Sequence, residues 1–268
     1  FAAGYFCTAS STGATAIGQN SSNEGAQAVT GAGAMALGGS YASGTDSFAA
    51  AIANNTSTYG AQGANSVAIG STAKATGSPS IAIGTSASAT GSRSIAIGCD
   101  TVTASGLYST VIGGYQPTDG GITGKMVFGS RVAFALSQSA FMQVGIATTD
   151  ATASVLSSNT SAAGATNQLI LPNNSAYAFD GLVISRQQAA DGTASAAWKV
   201  EGLIRREANA GTTTLVASTV TAISNVPGWT LALSADTTNG GLAVTFTGAA
   251  ATDIRTVANI RTVEVTYA

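Results

Sequence analysis

Large apolar and small residues alternate in a pattern that repeats every 14 residues between Ser66 and Gly98. The block Ser-Val-Ala-Ile-Gly at 66–70 returns as Ser-Ile-Ala-Ile-Gly at 80–84 and again at 94–98. Because side chains of an extended chain alternate between two faces, the two β-branched residues of each block share one face and the central alanine takes the other. A fixed short period indicates one structural unit stacked on itself, which predicts a parallel β-solenoid.

Each repeat is too short for a helical hairpin but long enough for two short strands and two turns, at about 3.3 Å per residue. We expect the β-branched residues to stack as two inward ladders, Val67/Ile81/Ile95 and Ile69/Ile83/Ile97. The second strand is expected to turn small residues inward, namely Ala73, Ala75, Ala87 and Ala89. The corners fall at glycines, for which a positive φ costs least: Gly70, Gly77, Gly84, Gly91 and Gly98.

The opposite face of the first strand carries only alanine, at Ala68, Ala82 and Ala96. Small side chains permit close approach of another backbone, so this face is predicted to contact a second subunit; alanine tolerated on an exposed strand is the alternative. A thin coil with a small-residue interior buries little apolar surface alone. Three-fold closure leaves no open lateral interface, so the sequence predicts an obligate homotrimer.

Looser copies of the block extend the pattern in both directions, at Thr15–Gly18, Met35–Gly38, Ser47–Ala51, Ser109–Gly113 and Met126–Gly129. Residues 1–130 are therefore predicted to form one solenoid of about seven to eight coils. The inserts Asn54–Gly63 and Tyr115–Gly121 are expected to be loops that bulge from one edge.

The second half has a different pattern, in which period-2 alternation is interrupted by turn signals. Residues 131–166 are predicted to be a transition and linker, and residues 167–268 an antiparallel β-sandwich or jelly roll. Its expected strands are 168–171, 177–187, 195–207, 213–223, 229–235, 241–248 and 253–267. Asn239-Gly240 between two of these is typical of a type I′ hairpin. The predicted core comprises Trp198, Val200, Ile204, Trp229, Leu231, Leu233, Phe246, Val263 and Val265.

Charged residues make up only 8% of the chain, and the formal net charge is −2. Without runs of like charge, neither nucleic acid nor an anionic membrane is a predicted partner, and no apolar run is long enough to insert into a bilayer. The basic residues of the second half alternate with glutamates, which favours cross-strand ion pairs: Arg186, Lys199, Arg205 and Arg206 with Glu201 and Glu207. The chain starts at Phe1, and we expect it to be processed or a fragment.

The absence of histidine excludes a Ser-His-Asp or Cys-His catalytic site. Two cysteines without histidine make no metal site, and Cys7 and Cys99 are expected to be buried thiols rather than a disulfide. The solenoid carboxylates Glu24, Asp46, Asp100 and Asp119 are widely separated in sequence, although they could meet across subunits as a glycosidase requires. The sequence therefore predicts no enzyme and no catalytic, cofactor-binding or metal-binding residue.

Two stretches carry resemblances to known families. The Ser-Val-Ala-Ile-Gly repeat over 66–98 resembles the head of trimeric autotransporter adhesins, whose fold is a trimeric left-handed parallel β-roll. Residues 178–192, 197–206 and 264–268 together resemble the C-terminal region of tail-fibre proteins from tailed phages, notably those of marine and cyanobacterial hosts. The two resemblances are compatible, because phage fibres often carry adhesin-like repeats.

Together the resemblances imply a structural and receptor-binding part of a virion tail fibre. Such a fibre is extracellular, joins other tail proteins, and attaches to a host cell-surface glycan or protein. A bacterial trimeric surface adhesin or extracellular filament is the alternative, and a polysaccharide-cleaving tailspike is the second alternative. Recognition is expected in the two solenoid inserts and in the C-terminal turns, because loops on rigid scaffolds carry most binding. Tyr59, Tyr108 and Tyr115 offer faces for sugar stacking, with core or interface contacts as the alternative for each.

Overall fold

The computed structural model describes residues 1–4, 7–18, 27–38, 40–50, 58–130, 136–188 and 192–267, which are all-β apart from a 3₁₀ turn at Ala210–Thr212. Two compact units divide the chain. The first contains Phe1–Gly121 and Val127–Arg131, and the second contains Ile122–Met126 and Val132–Ala268.

The first unit is a parallel β-solenoid of about seven turns, as predicted for residues 1–130. One of its sheets stacks, in this order, β1 (Ala2–Ala3), β3 (Thr15–Ile17), β5 (Met35–Leu37), β6 (Phe48–Ala50), β8 (Val67–Ile69), β10 (Ile81–Ile83), β12 (Ile95–Gly98), β14 (Thr110–Gly113) and β15 (Met126–Gly129). The return strands of the coils are β2 (Cys7–Ala9), β4 (Gln27–Val29), β7 (Gly60–Ala61), β9 (Lys74–Ala75), β11 (Ser88–Ala89) and β13 (Thr103–Ala104).

The 14-residue register is confirmed, because Val67 pairs with Ile81 and Ile81 with Ile95. The predicted direction of these ladders is wrong. The β-branched residues are only half-buried, whereas the alanines between them, Ala68, Ala82 and Ala96, are 3%, 0% and 0% exposed. The reason is the thinness of these coils: their return strands also face inward with alanine, so small side chains from both strands fill the interior. The expected subunit contact through the alanine face is therefore wrong as well.

The corner glycines serve two different purposes. Gly70, Gly84 and Gly98 have φ values of +124°, +119° and +143°, as predicted for left-handed corners. Gly77 and Gly91 do not adopt a positive φ. They are required because a Cβ on Gly77 would overlap the carbonyl oxygen of Gly91 in the next coil, a close approach that Gly84 also makes to Gly98. Successive coils therefore approach each other more closely there than any side chain permits.

The second unit contains antiparallel sheets, and its strands agree with the predicted segments. The larger sheet has the order β16 (Leu136–Thr148), β24 (Ile254–Thr266), β19 (Ser175–Gln187), β20 (Ser195–Arg206) and β21 (Thr214–Ser224). The smaller sheet contains β17 (Ser154–Val155), β18 (Leu169–Ile170), β22 (Thr230–Asp236) and β23 (Gly241–Thr247). The antiparallel strands are thus confirmed, whereas the sandwich or jelly-roll arrangement stays a prediction. The segment 131–166, expected to be a transition, includes the 13-residue strand β16.

The apolar core of the second unit is centred on three aromatic rings. Trp198 and Trp229 each meet Phe246 edge to face, with ring centroids 6.1 Å and 6.0 Å apart. Val200 and Ile204 are buried with them, and Leu231 and Leu233 pack against this cluster from its margin.

Val263 and Val265 were expected in this core, and that prediction is wrong, because they are 70% and 39% exposed. Strand β24 pairs without a bulge on both sides, so its alternation stays in one phase throughout. The phase that buries Ile254 and Ile260 also buries Glu264 and turns the two valines outward.

The predicted hairpin at Asn239-Gly240 is present, but its turn is not the two-residue type I′ form. Asp236 lies opposite Gly241, so the loop spans four residues, 237–240. The carboxylate of Asp236 closes it by accepting hydrogen bonds from the backbone N–H of Thr238 at 3.0 Å and of Asn239 at 2.9 Å. A negatively charged side chain at the strand end therefore organises this turn.

Candidate functional site

Residues 54–57 of the first predicted recognition loop, Asn54–Gly63, lie outside the described residues. Tyr59, in the described part of the same loop, is half-buried. In the second insert, Tyr115 is exposed. Tyr108 is also exposed, and the Arg93 guanidinium of the preceding coil lies over its ring, 5.2 Å from the centroid. This geometry is a cation–π contact between successive coils, so the Tyr108 ring is oriented by the scaffold.

Asp119, in the insert Tyr115–Gly121, is fully buried and has a structural role. Its carboxylate accepts hydrogen bonds from the backbone N–H of Ser105 at 3.0 Å and of Gly106 at 2.6 Å. In the preceding coils the corresponding N–H groups donate to a backbone carbonyl of the next coil, as Thr90 and Gly91 do to Ala104. The Asp119 carboxylate therefore replaces the carbonyl of a further coil and caps the return strands.

The outward face of the parallel sheet presents a continuous apolar stripe. One row runs through Met35, Phe48, Val67, Ile81 and Ile95, and the other through Ile17, Leu37, Ala50, Ile69, Ile83, Ile97 and Ile112. Within the stripe Ile17 and Met35 are 42% and 40% exposed. Contiguous apolar surface of this kind is typical of a protein–protein contact.

The outward face of the larger sheet in the second unit carries charged groups. Asp180 on β19 lies opposite both Arg261 on β24 and Glu201 on β20. Arg261 forms an ion pair with Asp180, and Lys199 forms one with Glu201 at 2.8 Å. A groove of 530 Å³ lies on this face, lined by Asp180, Glu201 and Arg261 together with Phe141 and Val263.

The predicted cross-strand pairing of basic residues with glutamates is wrong in this face. Lys199 with Glu201, and Arg205 with Glu207, pair along the chain two residues apart. Arg186 lies opposite Arg255 instead of a carboxylate.

The second unit contains a buried ion pair that has no local signal in the sequence. Lys125 Nζ lies 2.8 Å from Glu264 Oε1, and both side chains are almost completely buried. Gln138 Nε2 and Thr262 Oγ1 each donate to the same carboxylate at 2.7 Å. Lys125 Nζ also lies 5.4 Å from the centre of the Tyr177 ring. Because a buried charge is costly unless it is paired and hydrogen-bonded, this network fixes the Ile122–Met126 segment against β24.

Burial raises the pKa of Tyr177 well above its usual 10.0, and the charge of Glu264 and a hydrogen bond to it raise that pKa further. In Asp236 burial raises the pKa, but hydrogen bonds from Asn239, Gln168 and Thr238 outweigh it and leave the pKa lowered. Neither group lies in a groove described above, so these shifts indicate structural roles.

A second groove, of 610 Å³, lies at one end of the larger sheet. Its walls include the side chains of Gln143 and Arg255 and the loop residues Asn159 and Thr160. Asn159 is fixed by its Oδ1, which accepts from Asn167 Nδ2 at 2.8 Å and from the Ser161 N–H at 3.0 Å. Polar groups on a rigid loop beside a basic side chain are a binding arrangement.

Within the described ranges no cluster of three or more His, Cys, Asp or Glu side chains is placed to hold a metal ion. Of the solenoid carboxylates considered for catalysis, Glu24 lies outside the described residues, and Asp119 is the coil cap. Cys99 is exposed, contrary to prediction, while half-buried Cys7 donates to the carbonyl of Gly18 at 2.9 Å. Among the described residues no helix has the length and apolar character to cross a membrane.

Comparison with known proteins agrees with the repeat geometry. A profile of the YadA head domain repeat matches this chain twice, over residues 61–82 and 75–98. This match supports the resemblance of the repeats to an adhesin head, whereas the resemblance of the C-terminal region to marine and cyanobacterial phage fibres stays a prediction. A comparison with curated proteins finds no match.

Two solved structures show weak similarity. The tailspike protein of Acinetobacter baumannii phage AM24 is 10% identical over 97% of this chain and 47% of its own, with a TM-score of 0.24. The tailspike protein of Acinetobacter phage vB_ApiP_P1 is 11% identical over 93% of this chain and 50% of its own, with a TM-score of 0.18. This chain thus spans about half the length of each tailspike, and at these TM-scores the similarity carries no functional argument.

Proposed function

We propose that this chain is the structural and receptor-binding part of a phage tail fibre, in which three copies associate and attach the virion to a host cell-surface glycan or protein. The outward apolar stripes of three solenoids pack around a common axis, and the inserts at the coil edges remain free for recognition. Such a fibre is exposed on the virion and joins other tail proteins.

The observation that carries this proposal is the outward direction of the Val/Ile rows. A fully buried side chain of this size stabilises by about 1.5–3 kcal/mol, so a half-exposed one still has roughly 1 kcal/mol to gain from a subunit contact. That gain repeats at every coil, and closure into a ring covers the stripe on every subunit. The match to adhesin head repeats supports the same arrangement.

The assembly is tested by measuring the native mass by light scattering over a dilution series. The wild-type chain is expected at three times its monomer mass, and Ile83→Asp is expected to abolish the trimer by placing a charge in the stripe. Thr90→Asp, on the exposed end of a return strand, is the matched control and should remain trimeric. A monomeric wild type, or a trimeric Ile83→Asp variant, would contradict the proposal.

Attachment is tested with the same trimer on susceptible bacterial cells. We expect it to bind those cells and to reduce phage infection by competition. Failure to bind any host cell would remove the attachment role while leaving the assembly intact.

The match to the YadA head repeat also favours a second candidate, a bacterial trimeric surface adhesin or extracellular filament. Antibodies raised against the chain separate the two. Labelling of purified virions in electron micrographs is expected for a tail fibre, whereas labelling of uninfected bacterial surfaces would favour the adhesin.

We further propose that attachment proceeds without cleavage of the receptor. Incubation with host polysaccharide should release no reducing ends. Steady release would instead favour a tailspike enzyme, and Asp180 and Glu201 would then be the first carboxylates to replace, because they face each other across neighbouring strands.

A further inference from the structure

Two arginines face each other on adjacent strands at one end of the larger sheet. Arg186 on β19 is the direct antiparallel partner of Arg255 on β24, and both are exposed. Like charges placed directly opposite each other destabilise a sheet. Six residues away the same two strands place Asp180 opposite Arg261 and join them in an ion pair. The arginine doublet thus departs from the pairing that these strands use elsewhere.

Most other basic side chains of the second unit have acidic partners, and Arg206 donates to the carbonyl oxygen of Leu171 instead. Lys125, Lys199, Arg205 and Arg261 each form an ion pair with a carboxylate. Within the part of the chain that the structure describes, neither Arg186 nor Arg255 does so. Since the whole chain has only ten lysines and arginines, two adjacent cations without carboxylates are a concentrated positive site on a weakly acidic protein.

The doublet adjoins the 610 Å³ groove, because Arg255 forms part of its wall. This volume is within the usual range of about 300–1,000 Å³ for small-ligand sites. Ala147 and Val257 supply apolar surface, and Gln143 and Asn159 supply hydrogen-bonding groups. The Asn159 loop is already ordered by Asn167, which is itself buried. A preordered polar wall lowers the entropic cost of binding.

We infer that Arg186 and Arg255, with this groove, bind the anionic group of an acidic polysaccharide. A guanidinium presents a planar fork of N–H donors that matches a carboxylate or a phosphate in bidentate fashion. The apolar side chains suit the C–H face of a sugar ring, and the amides suit its hydroxyls. The inference rests on the proposed attachment function and names its receptor class, a glycan that bears carboxylate or phosphate groups.

The test measures binding to the full-length assembled protein by calorimetry, with four probes: a tetragalacturonate, a phosphorylated mannose oligosaccharide, inorganic phosphate and a neutral maltotetraose. An acidic oligosaccharide is expected to bind, and its affinity should fall as salt increases. Arg186→Gln and Arg255→Gln should each weaken that binding by about tenfold or more. Arg261→Gln is the matched control, because it removes an arginine from the same strand pair at a position paired with Asp180.

Several results would overturn the inference. One is binding of the acidic probes no tighter than maltotetraose, and another is equal loss in all three variants. Binding of inorganic phosphate as tight as that of either acidic oligosaccharide would reduce the site to a simple ion site. A change in native mass on replacing either arginine of the doublet would make it a subunit contact. If the doublet variants still bind host cells fully, the site fails while attachment stands; if acidic glycans bind but cells do not, attachment fails while the site stands.

Discussion

Replacing Ala82 by leucine tests directly whether the alanines, and not the isoleucines, face the interior of the solenoid. Ala82 has no solvent exposure and lies in register between Ala68 and Ala96, with inward alanines of the return strands completing the interior. The neighbouring Ile81 points outward and is half-buried. Leucine at position 82 therefore has to displace a neighbouring backbone, whereas leucine at position 81 only exchanges one branched side chain for its isomer.

The magnitudes separate the two variants. Inserting extra carbons into a close-packed interior costs about 1–3 kcal/mol, and for a unit of this size such a loss lowers Tm by about 3–15 °C. The isomeric change Ile81→Leu conserves volume and is expected to cost less than about 1.5 kcal/mol. If the isoleucines faced inward instead, the order would reverse, because Ala82→Leu would then only enlarge an exposed side chain.

Differential scanning calorimetry of the full chain measures both effects, and limited proteolysis of the first unit assigns the transition. Each variant is scanned at several protein concentrations, since an interior defect persists at all of them whereas an assembly defect fades at high concentration. An Ala82→Leu protein that unfolds no earlier than Ile81→Leu would refute the reasoning.

Three further substitutions test other parts of the fold. Gly84→Ala should prevent stable folding of the coil, because its Cβ would overlap the carbonyl oxygen of Gly98, whereas Gly114→Ala, which has open space, should leave Tm within about 2 °C; equal effects in thermal scans would contradict this. Asp119→Ala should expose the amides of Ser105 and Gly106 to hydrogen exchange and cost about 1–3 kcal/mol; unchanged protection would argue against the cap. Lys125→Met should lower the free energy of unfolding by about 3–5 kcal/mol, because it leaves Glu264 charged and buried. Replacing both residues by methionine should recover most of that loss. Urea unfolding that shows no such recovery would contradict this prediction.

The strands and their register could be predicted from the sequence, because the 14-residue period and the period-2 alternation are both local patterns. The strands β19, β20 and β24 begin and end within two residues of the predicted segments. The buried face of each strand could not be predicted in the same way. Alternation defines two faces but does not say which is buried. The rule that large residues lie inside fails in these thin coils, where alanines from both strands fill the interior.

Strand β24 shows the same difficulty on an ordinary sheet. Its valines at 263 and 265 look like core residues, and Glu264 between them looks exposed. Alternation counted from the buried Ile254 instead places Glu264 inside and both valines outside, which is correct because no bulge interrupts the strand. Strict alternation along the strand therefore predicts that Glu264 is buried. Its partner Lys125 lies 139 residues earlier, so no local pattern indicates the ion pair. The same holds for the arginine doublet, which depends on the pairing of β19 with β24.

Alkaline pH should weaken the second unit through Tyr177. The pKa of this buried phenol is raised well above its usual 10.0, first by burial and then by the charge of Glu264 and a hydrogen bond to it. An unfolded tyrosine loses its proton near pH 10, whereas the folded one retains it. The stability is therefore fully present below about pH 10 and falls as pH rises towards the folded pKa. Urea unfolding followed by fluorescence of the buried Trp198 and Trp229 between pH 8 and pH 12 measures this slope. Tyr177→Phe should be less stable at pH 8 yet show a flatter decline above pH 10, while Tyr267→Phe, at an exposed position, should follow the wild type. Parallel declines in all three proteins would mean that another group sets the alkaline limit.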